Sequence, residues 1–215
     1  MDPDELAGLR ENYARGGLVE EDLAPDPYVM FGRWLADAVA AELHEPNAMV
    51  LSTADSTGAP SSRMVLLKGC TDEGFVFYTN PESRKGQELA ANPACALLFP
   101  WHGLERQVRV EGTAVLVPRD EVTAYFASRP RGSQVGAWAS PQSRPVQGRD
   151  ELDRRYADTL SRFDEFDDVP VPDHWGGYVV RPEVVEFWQG RPGRMHDRLV
   201  YRRAGDGWST QRLAP

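Results

Sequence analysis

The segment from Arg63 to Lys85 constrains the fold most strongly, because it combines two strand patterns, a turn and a helix start in one short stretch. In this segment Arg63, Val65 and Leu67 alternate with Met64, Leu66 and Lys68, which is the period of two that is typical of a strand. Thr71-Asp72-Glu73-Gly74 follows with turn residues, and Phe75 to Thr79 has the aromatic and β-branched composition of a second strand. We therefore predict that these two strands form a hairpin.

A helix is predicted directly after this hairpin. Asn80-Pro81 is typical of an N-cap and a first helical residue, and Asn92-Pro93 is typical of a helix end. Arg84 and Lys85 then fall in the first turn, where the helix dipole disfavours cations. A bound phosphate would remove this penalty and accept hydrogen bonds from the free backbone N–H groups. The segment therefore predicts an anion-binding platform, and a solvated basic helix start is the alternative.

The other patterns predict a mainly β chain with packed helices. A helix is expected after Asp26-Pro27, with a buried stripe at every fourth residue, namely Phe31, Leu35, Val39 and Leu43. Further helices are expected at Asp4–Arg15, Asp120–Ser128 and Arg149–Phe163. Further strands are expected at Ala48–Thr53, Ala94–Phe99, Glu105–Val117, Tyr178–Arg181, Val184–Trp188, Arg198–Arg202 and Trp208–Leu213. This order favours an α+β fold, in which helices pack outside a mostly antiparallel sheet or barrel.

The charge distribution limits the classes of partner. A net charge of −9 argues against a general nucleic-acid binder, because such proteins need a basic surface. The charge is uneven, since the range from Arg181 to Arg212 holds seven arginines. A locally basic pocket in an acidic protein suits a small anionic ligand better than a polymer.

The cysteines and the apolar runs indicate the compartment. Cys70 and Cys95 show neither close pairing nor metal-ligand spacing with the four histidines, which predicts reduced cysteines and no metal site. The acidic N-terminal stretch lacks the apolar core of a signal peptide, and no run approaches the roughly 18 apolar residues of a membrane span. We expect a soluble, cytoplasmic protein without a nucleic-acid or membrane partner.

Several widespread functional motifs are absent from the sequence. There is no G-x-G-x-x-G after a strand and no G-x-x-x-x-G-K-[ST], so neither the dinucleotide-binding fold nor the P-loop is supported. The chain also lacks G-x-S-x-G and H-E-x-x-H, which leaves hydrolase and zinc chemistry without support. What remains is a surplus of phosphate-suited side chains beside aromatic rings.

A second phosphate site is indicated around Arg129. Tyr125 and Arg129 are four residues apart on a predicted helix and so share a face, and Ser133 follows the turn after Pro130. A guanidinium and two hydroxyl groups could hold a phosphate through charge-assisted hydrogen bonds. The alternative is an exposed arginine at a helix end.

Alternate positions near the C-terminus carry Arg194, His196 and Arg198, which would share one face if the chain were extended there. Two guanidinium groups beside an imidazole would keep it neutral and suit an electron-rich ring nearby. A purely structural histidine is the alternative. Trp188, taken alone, favours a core position over a cofactor wall.

Together these segments resemble the pyridoxine/pyridoxamine 5′-phosphate oxidase family, over the range from Leu9 to Pro215. The motifs that carry the resemblance are RMVLLK (Arg63–Lys68), FVFYTN with SRK (Phe75–Lys85), FPWHGLERQVRVEG (Phe99–Gly112), YFASRPRGSQVGAWASPQS (Tyr125–Ser143), HWGGY (His174–Tyr178), EFWQGRPGRMHDR (Glu186–Arg198) and the terminal RLAP.

The resemblance implies an FMN-binding split β-barrel that works as a homodimer, with FMN bound across the subunit interface. It implies an N-terminal arm over residues 1–25 that covers the site, and a single domain over 26–215 that includes a C-terminal dimerisation region. The implied FMN contacts are Arg63, Met64, Val65, Leu66, Leu67, Lys68, Tyr78, Thr79, Arg84, Lys85, Gln107, Gln142, Ser143, Trp188 and Arg198. The implied substrate contacts are Arg10, Tyr13, Lys68, Tyr125, Arg129, Ser133, Arg194, Met195 and His196.

The chemistry implied by the resemblance is two-electron oxidation at C4′ of pyridoxamine or pyridoxine 5′-phosphate. Hydride passes to the flavin, molecular oxygen reoxidises the flavin to give hydrogen peroxide, and the product is pyridoxal 5′-phosphate, with ammonia released from the amine. This is the final step of vitamin B6 cofactor synthesis and salvage. Within this scheme Arg194 is expected to orient and polarise the reacting substituent, while His196 fixes the ring.

Two other classes remain open on the same barrel. One is a non-catalytic carrier of flavin or pyridoxal phosphate, and the other is a reductase that uses a different flavin or a deazaflavin. Both would be expected to lose some substrate-side residues, whereas the sequence keeps the whole implied set.

Overall fold

The structure is a computed structural model that describes Asp2, Gly8 and residues 12–215. Its helices are α1 (Pro27–Ala40), α2 (Arg84–Ala91), α3 (Arg119–Ala127), α4 (Arg131–Ala139) and α5 (Arg149–Arg162). Its strands are β1 (Ala48–Ala54), β2 (Pro60–Leu66), β3 (Gly69–Thr71), β4 (Gly74–Thr79), β5 (Ala94–Trp101), β6 (Arg106–Leu116), β7 (Gly176–Gln189), β8 (Asp197–Ala204) and β9 (Gly207–Arg212). The predicted helix Asp4–Arg15 lies largely outside the described residues, and its described end, residues 12–15, is not helical.

Within the described residues the strands form a nine-stranded sheet in the order β2-β1-β5-β6-β7-β4-β3, with β8 on β7 and β9 on β8. The registers of β3 with β4, β4 with β7, β7 with β8 and β8 with β9 are antiparallel. The predicted α+β class, a mostly antiparallel sheet with packed helices, is therefore confirmed.

The chain divides into two compact units. The first comprises Met1–Val50, Ala96–Glu111 and Pro182–Pro215, and the second comprises Leu51–Cys95 and Gly112–Arg181. The predicted boundary between an arm over 1–25 and a domain over 26–215 stays a prediction. None of the helices in the described part of the chain is long and apolar enough to cross a membrane.

In the first unit, α1 begins where the sequence predicts. The Asp26 carboxylate accepts hydrogen bonds from two backbone N–H groups of the first turn, and Pro27 is the first helical residue. Of the predicted stripe, Phe31 is buried as expected, but the spacing of four is wrong: the buried residues of α1 are Pro27, Met30, Phe31, Trp34 and Ala38, and Val39 is 58% exposed. A strict spacing of four drifts around a helix with 3.6 residues per turn, whereas the observed mixture of three and four stays on one face.

In the second unit, the predicted hairpin has the wrong partner. Strand β4 pairs with the short strand β3, with Thr71 opposite Gly74, while β2 lies next to β1. The turn between β1 and β2 is organised by Asp55, whose carboxylate accepts hydrogen bonds from the backbone of Thr57 and Ala59. This local closure gives β2 a neighbour on the preceding strand. The Lys68 N–H donates to the Val76 carbonyl at 2.8 Å, which keeps the end of that segment beside β4.

Helix α2 begins later than predicted. Its N-cap is Ser83, because the Asn80 side chain accepts from the Glu82 N–H at 2.6 Å and forms a separate turn before the helix. Arg84 and Lys85 nevertheless occupy the first turn, and Asn92 ends the helix, as expected.

Near the C-terminus, the two predicted strands Tyr178–Arg181 and Val184–Trp188 are one strand, β7, that continues through Pro182. The predicted extended run of Arg194, His196 and Arg198 is wrong at its start. Arg194 lies in a 3-10 turn, Pro192–Arg194, with a positive φ of 62°, and β8 begins only at Asp197. A left-handed residue breaks the alternation that would place the three side chains on one face.

Helix α4 was not predicted, since Pro130 and two glycines in its sequence are typical of a turn. It packs with α3 and the end of α5 in a core formed by Phe126, Val135, Ala137, Phe163 and Val169. This packing holds Ser133 in the first turn of α4, directly after the end of α3.

We predict that Gly86→Ala destabilises the protein and that Gly136→Ala does not. A Cβ at Gly86 in α2 would lie 2.1 Å from the carbonyl oxygen of Pro81, whereas nothing lies within 4 Å of a Cβ at Gly136 in α4. Gly86→Ala should cost about 2–3 kcal/mol through overpacking. Gly136→Ala should stabilise by about 0.5–1 kcal/mol, because alanine favours the helix. Urea unfolding measures both, and equal stabilities would contradict the close approach of α2 to Pro81.

Candidate functional site

A cavity of about 410 Å³ lies in the second unit, which is within the size range of small-ligand sites. Strands β2 and β4, the start of α2 and the helix pair α3–α4 supply most of its wall. It is lined by Arg63, Met64, Val65, Leu66, Lys68, Tyr78, Thr79, Lys85, Tyr125, Arg129, Pro130, Ser133, Gln142 and Trp175. The cavity therefore combines four cationic side chains with hydroxyl groups and aromatic rings.

Lys85 lines this cavity and is buried, 8% exposed. Its ammonium donates hydrogen bonds of 3.1 Å to the hydroxyl oxygens of Thr79 and Ser83 and to the amide oxygen of Gln142. All three acceptors are neutral, so the charge is solvated but not balanced. Burial lowers the pKa of Lys85 to about 8, the positive charge of Arg63 adds to this effect, and Glu88 opposes it.

The start of α2 adds backbone donors beside this ammonium. Ser83, the N-cap, makes no capping hydrogen bond to the first turn, because its hydroxyl accepts from Lys85 instead. The uncapped N–H groups and the positive end of the helix dipole both favour an anion. The arrangement fits a phosphate group.

Glu88 holds the neighbouring arginines. Its buried carboxylate accepts from the hydroxyl groups of Thr53 (2.5 Å) and Ser61 (2.6 Å), from Arg63 at 3.2 Å and from Arg84 at 2.8 Å. Burial raises the pKa of Glu88, but these hydrogen bonds and the charge of Arg63 outweigh it, and the pKa falls to about 2. Arg63 therefore lines the cavity with most of its charge already matched.

Arg129 also lines the cavity. Its guanidinium lies 4.2 Å from the centre of the Trp175 ring, and its Nη1 is buried without a hydrogen-bond partner in the described structure. Burial lowers the pKa of Arg129, and Tyr125 opposes the shift. Because a buried donor without a partner is costly, this nitrogen is poised to receive an acceptor from a ligand.

Two tyrosines lie side by side in the cavity wall. The rings of Tyr78 and Tyr125 stack with centroids 3.8 Å apart and planes 9° from parallel. Burial raises the pKa of Tyr78, and the nearby Glu121 and Tyr125 add to the shift. Both phenol rings line the cavity together with its cationic side chains.

The cavity thus brings together twelve of the predicted site residues: Arg63, Met64, Val65, Leu66, Lys68, Tyr78, Thr79, Lys85, Tyr125, Arg129, Ser133 and Gln142. Three others of this unit do not line it. Leu67 is buried in the core, Arg84 is paired with Glu88, and Ser143 follows Gln142 with a positive φ of 68°.

The remaining described site residues lie in the first unit. Tyr13, Trp188 and His196 form an aromatic cluster, with ring centroids 5.9 Å apart for Tyr13 and Trp188, 5.7 Å for Tyr13 and His196, and 4.6 Å for Trp188 and His196. The Arg191 N–H donates to Nδ1 of His196 at 3.1 Å, so this nitrogen is an acceptor and any ring proton is on Nε2 when the imidazole is neutral.

Arg198 of this unit is held by a buried carboxylate. Glu186 accepts from Nε of Arg198 at 2.7 Å and from its Nη2 at 3.0 Å, and also from Arg109 at 3.1 Å. The hydrogen bond from Arg198 to Glu186 raises the pKa of the guanidinium.

The other predicted residues of the first unit are less enclosed. Gln107 lies in β6, Arg194 is in the 3-10 turn described above, and Met195 is 69% exposed. Arg10 lies outside the described residues.

Sequence reasoning missed three functional candidates. Trp175 lies in the HWGGY motif but had no predicted role. Its ring stacks on Arg129, and its buried Nε1 lacks a partner in the described structure. Glu88 and Glu186 were also missed. Glu88 could have been found, because a glutamate four residues after Arg84 on a helix is placed to pair with it. Glu186 could not, because its contact with Arg198 depends on the pairing of β7 with β8.

An antiparallel sheet with packed helices and a cavity of cations, hydroxyl groups and flat rings is typical of proteins that bind small phosphorylated ligands. Comparison with known proteins gives the family. Residues 35–161 match the family model described as pyridoxamine 5′-phosphate oxidase, and residues 175–215 match the one described as the pyridoxine 5′-phosphate oxidase C-terminal dimerisation region. The chain belongs to the pyridoxamine 5′-phosphate oxidase family.

Named relatives extend over the whole chain. It is 65% identical over 211 residues to a pyridoxine/pyridoxamine 5′-phosphate oxidase of Nocardioides sp., covering 98% of each chain. It is 59% identical to the enzyme of that name from Rubrobacter xylanophilus, covering 98% of this chain and 97% of the relative.

Solved structures agree with the predicted split-barrel fold. PhzG from Burkholderia lata, in complex with tetrahydrophenazine-1-carboxylic acid, is 32% identical, with a TM-score of 0.85 over 92% of this chain and 98% of that one. A pyridoxamine 5′-phosphate oxidase-related, FMN-binding protein of Nostoc punctiforme has a TM-score of 0.70 at 15% identity, over 90% and 100% of the two chains, and shows the fold alone. The FMN-binding split-barrel fold is therefore confirmed.

We predict that Glu88→Gln removes part of the acid sensitivity of the protein. A carboxylate with a pKa of about 2 in the folded chain, against 4.5 ordinarily, stabilises the fold above about pH 4.5 and loses that contribution as the pH falls towards 2. The stability difference between wild type and Glu88→Gln should shrink by on the order of 2–3 kcal/mol between about pH 5 and pH 2.

Urea unfolding across this pH range measures the difference. Glu183→Gln removes a charge from an exposed position of β7 and serves as the control. Parallel pH profiles for wild type and Glu88→Gln would contradict the role of the carboxylate as the shared partner of Arg63 and Arg84.

Proposed function

We propose that the protein oxidises pyridoxamine 5′-phosphate and pyridoxine 5′-phosphate to pyridoxal 5′-phosphate, with FMN as its cofactor and molecular oxygen as electron acceptor. One observation carries this proposal beyond family membership. Of the four cations that line the cavity, Arg63 is paired with Glu88, whereas Lys68, Lys85 and Arg129 have no carboxylate within ion-pair distance among the described residues. Unbalanced positive charge at Lys85, and at Arg129 with Lys68, suits two phosphorylated molecules.

Lys85 and the start of α2 fit the phosphate of FMN. The three neutral oxygens around the ammonium fix its position, so an arriving phosphate meets an oriented cation rather than a flexible one. The remaining contacts to FMN are assigned to Gln142 and to the residues of β2 and β4 that line the cavity. Leu67, Arg84 and Ser143, which do not line it, and Gln107, Trp188 and Arg198 of the first unit complete the assigned set.

Arg129 fits the phosphate of the substrate. Lys68, Tyr125 and Ser133 line the same cavity and supply an ammonium and two hydroxyl groups. The orphaned Nη1 of Arg129 gains a strong acceptor when a phosphate binds, which removes the penalty of its burial. The phosphorylated form of the vitamer is therefore the preferred substrate.

A homodimer would complete the site. The match of residues 175–215 to a dimerisation region supports pairing of two chains. In this proposal FMN lies across the subunit interface, and Trp188 and Arg198 contribute to its binding. Arg10 and Tyr13 of the N-terminal segment, with Arg194, Met195 and His196, are assigned to the substrate.

When bound, FMN supplies the two-electron oxidising chemistry and is returned to its oxidised form by oxygen. Pyridoxamine 5′-phosphate, water and oxygen yield pyridoxal 5′-phosphate, ammonia and hydrogen peroxide, and the alcohol and oxygen yield the same aldehyde and peroxide. The protein holds the phosphate and orients C4′. Arg194 orients and polarises the substituent on C4′, and His196, whose Nδ1 is fixed by the Arg191 N–H, holds the pyridine ring.

We further assign the reaction to the last step of vitamin B6 cofactor synthesis and salvage, in the cytoplasm.

The decisive experiment is to load the purified protein with FMN, add each phosphorylated vitamer, and follow hydrogen peroxide and pyridoxal 5′-phosphate. Equal amounts of both products are expected. Flavin binding without peroxide would instead indicate a carrier, and turnover only with a deazaflavin would indicate a reductase. Turnover of a tetrahydrophenazine carboxylic acid in place of the vitamers would overturn the assigned substrate class.

We predict that Arg129→Gln raises the KM for both phosphorylated substrates by about 10–100-fold, the loss expected for charge-assisted hydrogen bonds of about 1.5–3 kcal/mol. FMN affinity should stay unchanged, because Lys85 holds the other phosphate. Arg154→Gln, on the exposed side of α5, is the matched control. If Arg129→Gln weakened FMN and left KM unaltered, the two phosphate assignments would have to be exchanged.

We predict that FMN affinity falls as the pH rises through about 8. Phosphate binds the charged ammonium, and the pKa of Lys85 without ligand is about 8, so the affinity should be constant just below that pH and fall by up to about tenfold per pH unit above it. Quenching of flavin fluorescence between about pH 7 and 9.5 measures it. Lys85→Arg keeps its charge throughout and should remove the slope even if it binds FMN more weakly. The same slope in both proteins would contradict the assignment.

A further inference from the structure

Within the first unit, hydrogen bonds from side chains hold the backbone of the segment Tyr13–Leu18. The N–H groups of Ala14 and Arg15 donate to one carboxylate oxygen of Glu105 at 2.9 and 3.0 Å. Further along, the Leu18 N–H donates to Asp197 at 3.0 Å, and Arg191 donates to the Gly16 carbonyl at 2.8 Å. Side chains therefore bond four backbone groups of a stretch that has neither helix nor strand.

Glu105 is unusual in joining this segment to the end of β7. It adopts a left-handed conformation, with φ 55° and ψ 35°, that non-glycine residues rarely take. Its carbonyl accepts from the Gly190 N–H at 2.7 Å and from the Gln189 side chain at 3.2 Å, while its carboxylate accepts from the segment. One residue thus connects Ala14 and Arg15 to the residues that follow Trp188.

Gly190 provides the space for Tyr13. A Cβ at Gly190 would lie 2.7–3.0 Å from three carbons of the Tyr13 side chain, including two ring atoms. Tyr13 lies in this notch with its ring against Trp188 and His196. The ring is adjacent in sequence to the two N–H groups that Glu105 holds, so its position depends on that carboxylate.

We propose that Glu105 is a positioning residue: by holding the backbone of Ala14 and Arg15, it keeps Tyr13 against His196 and Trp188 and thereby sets the affinity for the B6 substrate. This inference rests on the proposed function, which assigns Tyr13 and His196 to the substrate. Glu105 itself contacts the segment and not the substrate. Its loss should therefore affect substrate binding and leave FMN binding intact.

The test compares Glu105→Asn with Glu42→Asn in the full-length, FMN-loaded protein. Asparagine tolerates the left-handed conformation, but its shorter side chain cannot reach the segment. Glu42 is a second glutamate of the first unit with a similar φ, 53°, and no described hydrogen bond joins it to Tyr13–Leu18, so it controls for the backbone strain.

Two readouts are measured. The first is the rate of trypsin cleavage after Arg15, followed by mass spectrometry, which reports release of the segment without reference to activity. The second is the KM and kcat for pyridoxamine 5′-phosphate. Glu105→Asn should raise both the cleavage rate and KM about tenfold, with kcat and FMN affinity within about twofold of wild type, because two hydrogen bonds to a charged acceptor are lost.

Each outcome decides the proposal. An unchanged cleavage rate would show that Glu105 does not hold the segment, and faster cleavage with an unchanged KM would show that the segment does not position a substrate group. Gly190→Ala displaces Tyr13 but keeps Glu105, so it should also raise KM. Glu42→Asn should leave KM unchanged. If wild type did not turn over any B6 vitamer, the proposed function would fail, while the cleavage rates would still show whether Glu105 holds Arg15.

Discussion

The burial of the Lys85 ammonium among neutral oxygens is the interaction on which the cavity depends. Removing an ammonium from water is costly, and hydroxyl and amide oxygens replace its hydration without cancelling its charge. The pKa of Lys85 is therefore lowered to about 8. Near neutral pH the side chain still carries its charge, and this buried charge lowers the stability of the folded protein. A phosphate ligand would balance this charge, so ligand binding and the stability of the start of α2 are coupled.

Much of this site could be predicted from sequence because its chemistry is local. Arg84 and Lys85 follow a turn and precede a clear helix end, so their place in a first turn is correct even though the N-cap is Ser83 instead of Asn80. Tyr125, Arg129 and Ser133 also lie close along the chain, and one short connection between α3 and α4 brings them together. Because these residues are close in sequence, errors of a few residues in the predicted helix bounds do not separate them.

The features that sequence reasoning missed depend on long-range packing or on rare backbone conformations. The alternation in Arg63–Leu66 identifies a strand but not its partner, and the Asp55 turn, not the Gly74 turn, decides that β2 joins β1. The left-handed φ of Arg194 breaks a pattern that looks continuous in the sequence. The contact between Trp175 and Arg129 joins positions far apart in the chain, which no periodicity encodes.

The cations of the chain therefore fall into two groups that the sequence does not distinguish. Arg63 and Arg84 share Glu88, and Arg198 and Arg109 share Glu186, so each buried carboxylate orients two guanidinium groups and offsets their charge. Lys85 and Arg129 bond no carboxylate: neutral oxygens hold Lys85, on which Arg63 and Glu88 act only through their charges, and Arg129 lies against the Trp175 ring. Arg198 binds Glu186 through two nitrogens, which fixes the plane of its guanidinium, whereas Lys85 and Arg129 remain open to an anion. A count of positive residues overstates the binding charge of this protein, and the partner of each cation determines its role.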